Sequence, residues 1–300
     1  MDRFLAMQVF VAVGEAQGFA AAARRLALSP PMVTRTIGAL ERQLGVKLLQ
    51  RTTRIVRLTD AGARYLVDCK RLLSEVDDAE QALTGLQTEL RGSLAITASV
   101  MFGRLFVAPI LVQFLEQHPK VNGRAVLVDR VVDLIEEGLD VGVRIAHLSD
   151  ASFMAIRVGT VRQVLCASPA YLKRNGVPQN PRDLSEFDAI SFTADRATPA
   201  WSFGSGKKTL SVRPRSRLLV NSSEVAMDAA IGGAGITRVL SYMAASELKA
   251  GRLRVILREF EPEPIPIHVI HREGKQAAAR VRAFVDLAVD RLRSHPLLKG

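Results

Sequence analysis

Tyr65, Cys69, Leu72, Val76, Ala79, Leu83, Leu86 and Leu90 follow one another at alternating steps of four and three residues. A strict seven-residue apolar period is the period of a helix that packs along another helix, and most positions between the apolar ones are polar. The seam predicts one long helix over residues 60–90. The favoured reading is pairing between two chains; the other is an amphipathic helix lying along its own domain. Either way it separates two unlike parts, residues 1–59 and 91–300, and Arg91-Gly92-Ser93 breaks the helix at the boundary. A chain of 300 residues is long enough for more than one core.

The first part reads as short helices followed by a hairpin. Phe4, Met7, Phe10 and Val11, then Phe19, Ala22, Ala23 and Leu26, fall at helical spacing on either side of Gly18. Ser29 is a suitable N-cap and Pro30 suits a first helical position, where its missing N–H is no loss. Val33, Ile37, Leu40 and Leu44 then form a buried stripe, with Met32, Thr34, Arg35, Gly38 and Arg42 on the opposite face and Gly45 ending the helix. Leu48-Leu49 and Ile55-Val56-Arg57-Leu58 read as two short strands around the basic turn Arg51-Thr52-Thr53-Arg54.

Two helices at a tight turn, the second presenting a polar and basic face, form a helix-turn-helix. The second helix fits a DNA major groove about 12 Å wide with its first residues near base edges. Pro30 and Pro31 bring a rigid, apolar helix start to the groove. Thr34 can bond a base or pack on a thymine methyl, and Arg35 can fork to guanine or clamp phosphate. The hairpin acts as a wing, with Arg54 suited to the narrow minor groove and Arg51 to backbone phosphate.

Charge agrees without locating the site. The net charge is +11, and residues 1–59 hold nine Lys/Arg against three Asp/Glu. Residues 60–90 are acidic, three against seven, but residues 91–300 are basic again, twenty-nine against twenty. A polyanionic partner is expected, nucleic acid before membrane. The two cysteines, Cys69 and Cys166, form no disulfide framework or metal knuckle and suit a reducing, cytoplasmic setting. The apolar run at 105–112 is interrupted by Pro109 and too short to span a bilayer, and Asp2 and Gln8 spoil residues 4–13 as a signal-peptide core.

From residue 94 onward strand-like and helix-like segments alternate, which predicts an α/β architecture with a largely parallel sheet. Strands are expected at 94–98, 125–128, 139–145, 163–167, 189–192, 218–220, 236–239 and 267–271. Helices are expected at 105–117, 131–137, 224–231 and 276–292. In such folds ligands gather beyond the carboxyl ends of strands. Ser99, Val100 and Met101 follow the first strand, where backbone N–H groups and the Ser99 hydroxyl could hold an anion, and Phe102-Gly103-Arg104 continues that loop. Arg144 closes another strand as a carboxylate partner. Thr193 follows a strand, Asn221-Ser222 precede a helix, and Gly235-Ile236-Thr237 enter a strand.

The string Phe19-Ala20-Ala21-Ala22-Ala23-Arg24-Arg25-Leu26, Leu28-Ser29-Pro30, Val33-Thr34-Arg35, Leu40-Glu41, Leu44-Gly45, Arg51-Thr52-Thr53-Arg54 and Leu58-Thr59-Asp60-Ala61-Gly62 resembles the LysR-type transcriptional regulators. Ala20 departs from the commoner serine, which removes a cap or phosphate contact. The resemblance implies a winged helix-turn-helix over 1–59, a linker helix that pairs subunits over 60–90, and a two-lobed α/β effector-binding domain, similar to periplasmic binding proteins, over 91–300. One lobe spans about 91–161 and 267–300, the other about 162–266. Ser99, Val100, Met101, Arg144, Thr193, Asn221, Ser222 and Thr237 then line the cleft between lobes. The implied partners are double-stranded DNA, a second copy in a homodimer or homotetramer, and a small-molecule effector that switches transcription; the cations Arg104 and Arg144 point to a carboxylate or phenolic metabolite.

Rival chemistry finds little support. Gly204-Ser205-Gly206-Lys207 imitates a phosphate loop, but Trp201 and Lys208 stand where glycine and Ser/Thr are needed. Gly232-Gly233-Ala234-Gly235 follows a helix instead of opening one. His268 and His271, an odd number apart in a strand, should face opposite sides. No G-x-S-x-G elbow or C-x-x-C pair occurs, so neither an enzyme nor a cofactor is expected. The run Lys207, Lys208, Arg213, Arg215, Arg217 reads as a solvated strand face. The remaining alternative is a small-molecule-binding module without a direct DNA role.

Overall fold

The computed structural model describes residues 2–51, 56–83, 89–148, 154–193, 200–204, 206, 209–271 and 277–299. They form two compact units, Met1–Ser93 with Asp133–Gly138, and Leu94–Val132 with Leu139–Gly300.

The first unit opens with α1 (Arg3–Ala16), whose first amides, of Phe4 and Leu5, donate to the Asp2 carboxylate at 2.9 and 3.2 Å. α2 (Phe19–Arg25) and α3 (Pro30–Leu44) follow, then β1 (Leu49–Arg51) and β2 (Val56–Leu58), which pair antiparallel. α4 (Asp60–Leu83) completes the unit. The apolar stripes read from spacing meet in one core: Val9, Phe10 and Val13 of α1, Ala22 and Ala23 of α2, Val33, Ile37 and Leu40 of α3, and Leu48 and Leu49 at the start of the hairpin. Burying a side chain such as Ile37 or Leu40 completely is worth about 1.5–3 kcal/mol. Glu15 on α1 ties the helices from outside by pairing with Arg25 and with Lys70, the latter at 2.7 Å.

The heptad seam divides. Tyr65 and Cys69 turn into this core, Tyr65 with its ring 5.5 Å from that of Phe10. Leu72 is half-buried and Val76 exposed. Leu86 and the end expected at residue 90 are not part of the described helix: residues 84–88 lie outside the described residues, and Leu90 is already non-helical, one residue before the next strand. The own-domain reading thus holds for Tyr65 and Cys69, the first part of the seam.

The second unit holds two five-stranded sheets. β3 (Arg91–Ala98) leads into a continuous helical stretch: α5 (Val100–Phe102), a π-turn at Gly103–Val107, and α6 (Ala108–Gln117). β4 (Lys120–Leu127), β5 (Val141–Ile145) and β6 (Met154–Val161) follow. The chain then crosses to the second sheet through β7 (Gln163–Ala167), α7 (Pro169–Asn175), β8 (Asp188–Phe192), the hairpin β9 (Trp201–Phe203) and β10 (Leu210–Val212), and β11 (Arg215–Val220). α8 (Ser223–Ile231), β12 (Ile236–Leu240), α9 (Ser241–Lys249) and β13 (Arg254–Ile256) complete it. β14 (Ile265–His271) and α10 (Ala279–Ser294) return to the first sheet.

The strand orders are β4-β3-β5-β14-β6 and β11-β8-β12-β7-β13. Both sheets are mixed, which corrects the expectation of a largely parallel sheet. β3 is parallel to β5, and β8 to β11 and β12, whereas β14 runs antiparallel to β5 and β6, and β7 antiparallel to β12 and β13. The helix expected at 131–137 is a turn, in which the Asp133 carboxylate accepts from the amides of Ile135 and Glu136 at 2.7 and 3.1 Å. The helix expected from residue 105 starts at Val100, so Phe102-Gly103-Arg104 is helical rather than a loop. Val100–Gln117 is long and apolar enough by composition to cross a membrane. Here it behaves as a core helix: Phe102, Phe106, Val107 and Phe114 are buried, with the Phe114 ring 5.5 Å from that of Phe284 on α10.

Candidate functional site

Two places combine accessible polar groups with firm positioning: the outer face of α3 in the first unit, and a cleft beside Ser99 in the second.

α3 begins and ends as its sequence demands. The Ser29 hydroxyl accepts from the Met32 amide at 3.4 Å, Pro30 and Pro31 occupy the first two positions, and Gly45 closes the helix with φ of 68°. Val33, Ile37 and Leu40 face the core. Pro30, Pro31, Met32, Thr34, Arg35 and Arg42 are all exposed, and Gly38 leaves a shallow place between them. One rigid helix thus presents a proline-led edge with a hydroxyl and guanidinium groups, the inventory of a groove-reading surface. The backbone of Arg51 lies in β1, while its side chain and Arg54 lie outside the described groups. Ala20 is exposed as the second residue of α2, whose N-cap is Gly18, so a serine there would reach solvent or phosphate, not cap the helix.

Sequence reading passes over the residue that fixes the wing to this helix. Glu41 is almost wholly buried, with one carboxylate oxygen accepting from the amides of Leu48 and Leu49 at 3.0 and 3.1 Å and the other pairing with Lys47 at 2.8 Å. Burial pulls its pKa up, but the Lys47 ammonium and the two amides outweigh that and hold it below the ordinary carboxylate value. Its acidic type at the end of the buried stripe is the only signal the sequence offers. Thr59 completes the junction. Its hydroxyl donates to Lys47 O at 2.8 Å and accepts from Gly62 N at 2.9 Å. Gly62 has no room for a side chain, because a Cβ there would sit 2.0 Å from Leu48 O.

In the second unit, a cleft of about 340 Å³ lies where the first sheet's strand ends meet residues of the second. Ser99 and Arg144 line it, as expected, with Thr97, Asp129 and Arg130. Its apolar wall includes Val132, Val143, Phe192, Leu240 and Met243. The Thr97 hydroxyl donates to Val126 O at 2.8 Å, and a guanidinium nitrogen of Arg144 donates to Val132 O. Ser99 occupies the N-cap position of α5 without capping it; its oxygen is buried and has no hydrogen-bond partner. At the expected anion seat on this helix the Asp129 carboxylate is already present, accepting from the Val100 amide at 3.1 Å.

Other expected residues do not line this cleft. Met101 is buried, its sulfur accepting from the Ser223 hydroxyl at 3.8 Å. Val100 is part-exposed beside the cleft, not in its wall. Thr237 is fully buried and its hydroxyl is committed to Ile190 O at 3.1 Å, so it serves the sheet. The Ser222 hydroxyl caps α8 by accepting from Val225 N at 3.4 Å, and Asn221 is exposed before it. Thr193 is half-buried and its amide donates to Val220 O at 3.0 Å. Arg104 pairs with Glu224 at 2.7 Å beside a second cavity of about 510 Å³, walled by Met101, Phe106, Met227, Tyr242 and Met243. The missed residues, Thr97, Asp129 and Met243, carry no local motif; only the fold assembles them. Among the described residues no group of His, Cys, Asp and Glu could hold a metal ion.

Comparison with known proteins covers both units. A model of bacterial regulatory helix-turn-helix proteins of the lysR family matches residues 4–63, and a LysR substrate binding domain matches residues 87–293. An HTH-type transcriptional repressor of Pseudomonas aeruginosa is 32% identical over 298 residues, covering 99% of this chain and 94% of that protein. The HTH-type transcriptional activator AaeR of Escherichia coli is 30% identical over 290 residues, covering 97% and 94%. The solved structure of CrgA, a LysR-type transcriptional regulator from Neisseria meningitidis, superposes with a TM-score of 0.61 at 27% identity, covering 96% of this chain and 98% of that one. A full-length variant of OxyR from Pseudomonas aeruginosa shares the fold at a TM-score of 0.67 and 15% identity, with both chains fully covered.

Proposed function

The chain belongs to the LysR family of DNA-binding transcriptional regulators, and from that premise we propose that the outer face of α3 reads its operator while the cleft beside Ser99 receives the effector that controls it. The family assignment makes it a regulator and not an enzyme. The observation that carries the α3 reading is the division of that helix into a fully buried stripe and an exposed face bearing Pro30, Pro31, Thr34 and Arg35. Thr34 and Arg35 contact base edges, and Arg51 and Arg54 of the hairpin track the backbone and minor groove. Two subunits, paired through the part of α4 that leaves the core beyond Cys69, present two such helices, so an interrupted inverted repeat is the expected operator. Such a protein works in the cytoplasm, where the chromosome is.

The effector is a small organic acid or phenol. Two guanidinium groups, of Arg130 and Arg144, stand in the lining, and the wall of Val143, Phe192, Leu240 and Met243 suits an apolar body. Capture of genomic fragments by the purified protein, followed by anisotropy titration of the recovered site at several salt concentrations, tests the DNA reading. Arg35→Ala is expected to cost about 1–3 kcal/mol at the recovered site and to relax one position of it. Binding no tighter to recovered than to random fragments would refute the assignment of α3.

A further inference from the structure

Asp129 changes what the inner end of the cleft accepts. A helix start next to a cleft ordinarily attracts an anion. Here the first amide, of Val100, already donates to the Asp129 carboxylate at 3.1 Å, and the Gly103 amide, three residues on, closes the first helical turn on Ser99 O at 2.7 Å. A ligand carboxylate placed there would share the spot with a second negative charge, an arrangement that disfavours both.

What the spot lacks is a different group. Ser99 Oγ and Tyr242 Oη are both buried and neither has a hydrogen-bond partner. Ser99 lines the cleft, the Tyr242 ring walls the neighbouring cavity, and Met243 faces both. The two residues thus flank the partition that Met243 forms between the cavities. Ser99 and the Asp129 charge both act on the Tyr242 phenol, without a direct hydrogen bond between the two hydroxyls. The Tyr242 ring is held edge-on by Phe102 and Phe106, with centroids 5.3 and 5.5 Å away, so it is not free to swing toward another partner. Burial, the largest influence, pushes the phenol far above its ordinary range, so it stays a neutral hydroxyl.

We propose that the effector enters the cleft with an uncharged hydroxyl at its inner end, held by Ser99, Tyr242 and Asp129, so that the natural ligand is a hydroxy acid and not a simple acid or a dicarboxylic acid. The proposal rests on the reading of this cleft as the effector site. One hydroxyl completes the set: it donates to the Asp129 carboxylate and its oxygen accepts from Ser99, whose side chain turns to accept in its place from the fixed Tyr242 hydroxyl. A methyl group offers neither a donor to Asp129 nor an acceptor to Ser99, and a carboxylate brings charge without a proton to donate. Tyr242 acts through Ser99 and is a specificity-determining positioning residue.

Matched probes that differ only at one end test this: para-methyl-, para-hydroxy- and para-carboxyphenylacetate, and hexanoate, omega-hydroxyhexanoate and adipate. Affinities are measured by calorimetry on the full chain. In at least one set the hydroxy member is expected to bind about tenfold or more tightly than both others, the size of one well-placed buried hydrogen bond. Tyr242→Phe and Ser99→Ala are each expected to remove most of that preference, bringing the hydroxy member's affinity down to that of the methyl member. Asp129→Asn, which keeps an oxygen for the Val100 amide, is expected to admit the dicarboxylate. Trp201 fluorescence melts check that each variant is folded.

Equal or tighter binding of the methyl or carboxy members, or a hydroxyl preference that survives Ser99→Ala and Tyr242→Phe, overturns the proposal while leaving the cleft as the site. Binding indifferent to Arg144→Gln and Phe192→Ala, or no binding of any probe at millimolar concentration, overturns the site reading itself.

Discussion

Glu41 offers a sharp test of how the DNA-reading unit is held together. Replacing it with alanine strips the amides of Leu48 and Leu49 of their acceptor, at 3.0 and 3.1 Å. Hydrogen bonds to a charged group are worth about 1.5–3 kcal/mol each, so the loss should be roughly 3–6 kcal/mol. Lys47, with its side chain 79% exposed, adds little, about 0–1 kcal/mol after solvent screening. Glu41→Gln keeps an oxygen for both amides and should lose only about 1–1.5 kcal/mol. The molecule supplies its own control, because its single tryptophan, Trp201, is buried in the second unit. Far-ultraviolet circular dichroism follows both units and tryptophan fluorescence only the second. Glu41→Ala should lower the first unit's melting midpoint by roughly 10 °C or more, leave the Trp201 transition in place, and abolish operator binding. The glutamine variant should behave nearly as the parent. The pH dependence has a fixed sign: the folded pKa lies below the ordinary 4.5, so the unfolded chain takes up the proton first. The stabilisation is complete above that value and disappears as pH falls through the folded pKa. A midpoint shift in the alanine variant of only a degree or two, or an equal shift in Trp201 fluorescence, would refute this account of the hinge between wing and helix.

Two further outcomes follow from the same packing. Gly62→Ala forces a methyl to within 2.0 Å of Leu48 O, a backbone clash that should cost more than about 3 kcal/mol and abolish DNA binding without altering effector affinity; a variant that melts like the parent would show that the junction can yield. Burial pushes the thiols of Cys69 and Cys166 up to about 11 and about 12, so neither should react with a thiol reagent at neutral pH until the protein unfolds, and rapid labelling of the native chain would contradict their placement.

The two halves of the chain differ in how much they disclose. In the first, contacts lie within a few turns of each other, and the periodicity of Val33, Ile37 and Leu40, with Ser29 and Gly45 as caps, names α3 to the residue. The seam in α4 is legible only in part because period alone cannot say what lies opposite: Tyr65 and Cys69 face Phe10 and its neighbours rather than another chain. In the second half, strand positions are legible but strand direction is not, since alternation of apolar residues is the same either way. α9 leaves no signal because it starts at Ser241 directly after β12, with no glycine or proline between. Thr237 reads as a ligand residue from its position at a strand, whereas a hydroxyl in that row can equally bond the next strand, as it does to Ile190. Asp129 and Tyr242 could not be found from sequence because they stand far apart in the chain and meet only through the fold.

An effector acts only through a difference in its affinity for two arrangements of the protein. The second unit has two strand crossings between its sheets, at Arg162 and in residues 257–264, and both are tied to one point. Arg162 pairs with Glu261 at 2.9 Å, its amide donates to the Ser241 hydroxyl at 3.2 Å, and its carbonyl accepts from the Ser241 amide at 2.8 Å. Ser241 opens α9, so Tyr242 and Met243 move with the crossing. Away from it, the polar ties between the sheets are weak: Arg104 and Glu224 are 59% and 44% exposed, worth about 0–1 kcal/mol, and the Ser223–Met101 contact is long at 3.8 Å, while Phe102 and Phe106 pack edge-on against Tyr242 at 5.3 and 5.5 Å. A rotation at the crossing changes the spacing of Ser99 from Tyr242 only by shifting these ring contacts. A ligand hydroxyl that Ser99 and Asp129 hold in only one arrangement, and that binds it about a hundredfold better, supplies roughly 2.7 kcal/mol toward that arrangement. That exceeds what the surface ion pair alone contributes, so recognition by Ser99 and Asp129 biases whichever arrangement of the two sheets satisfies it.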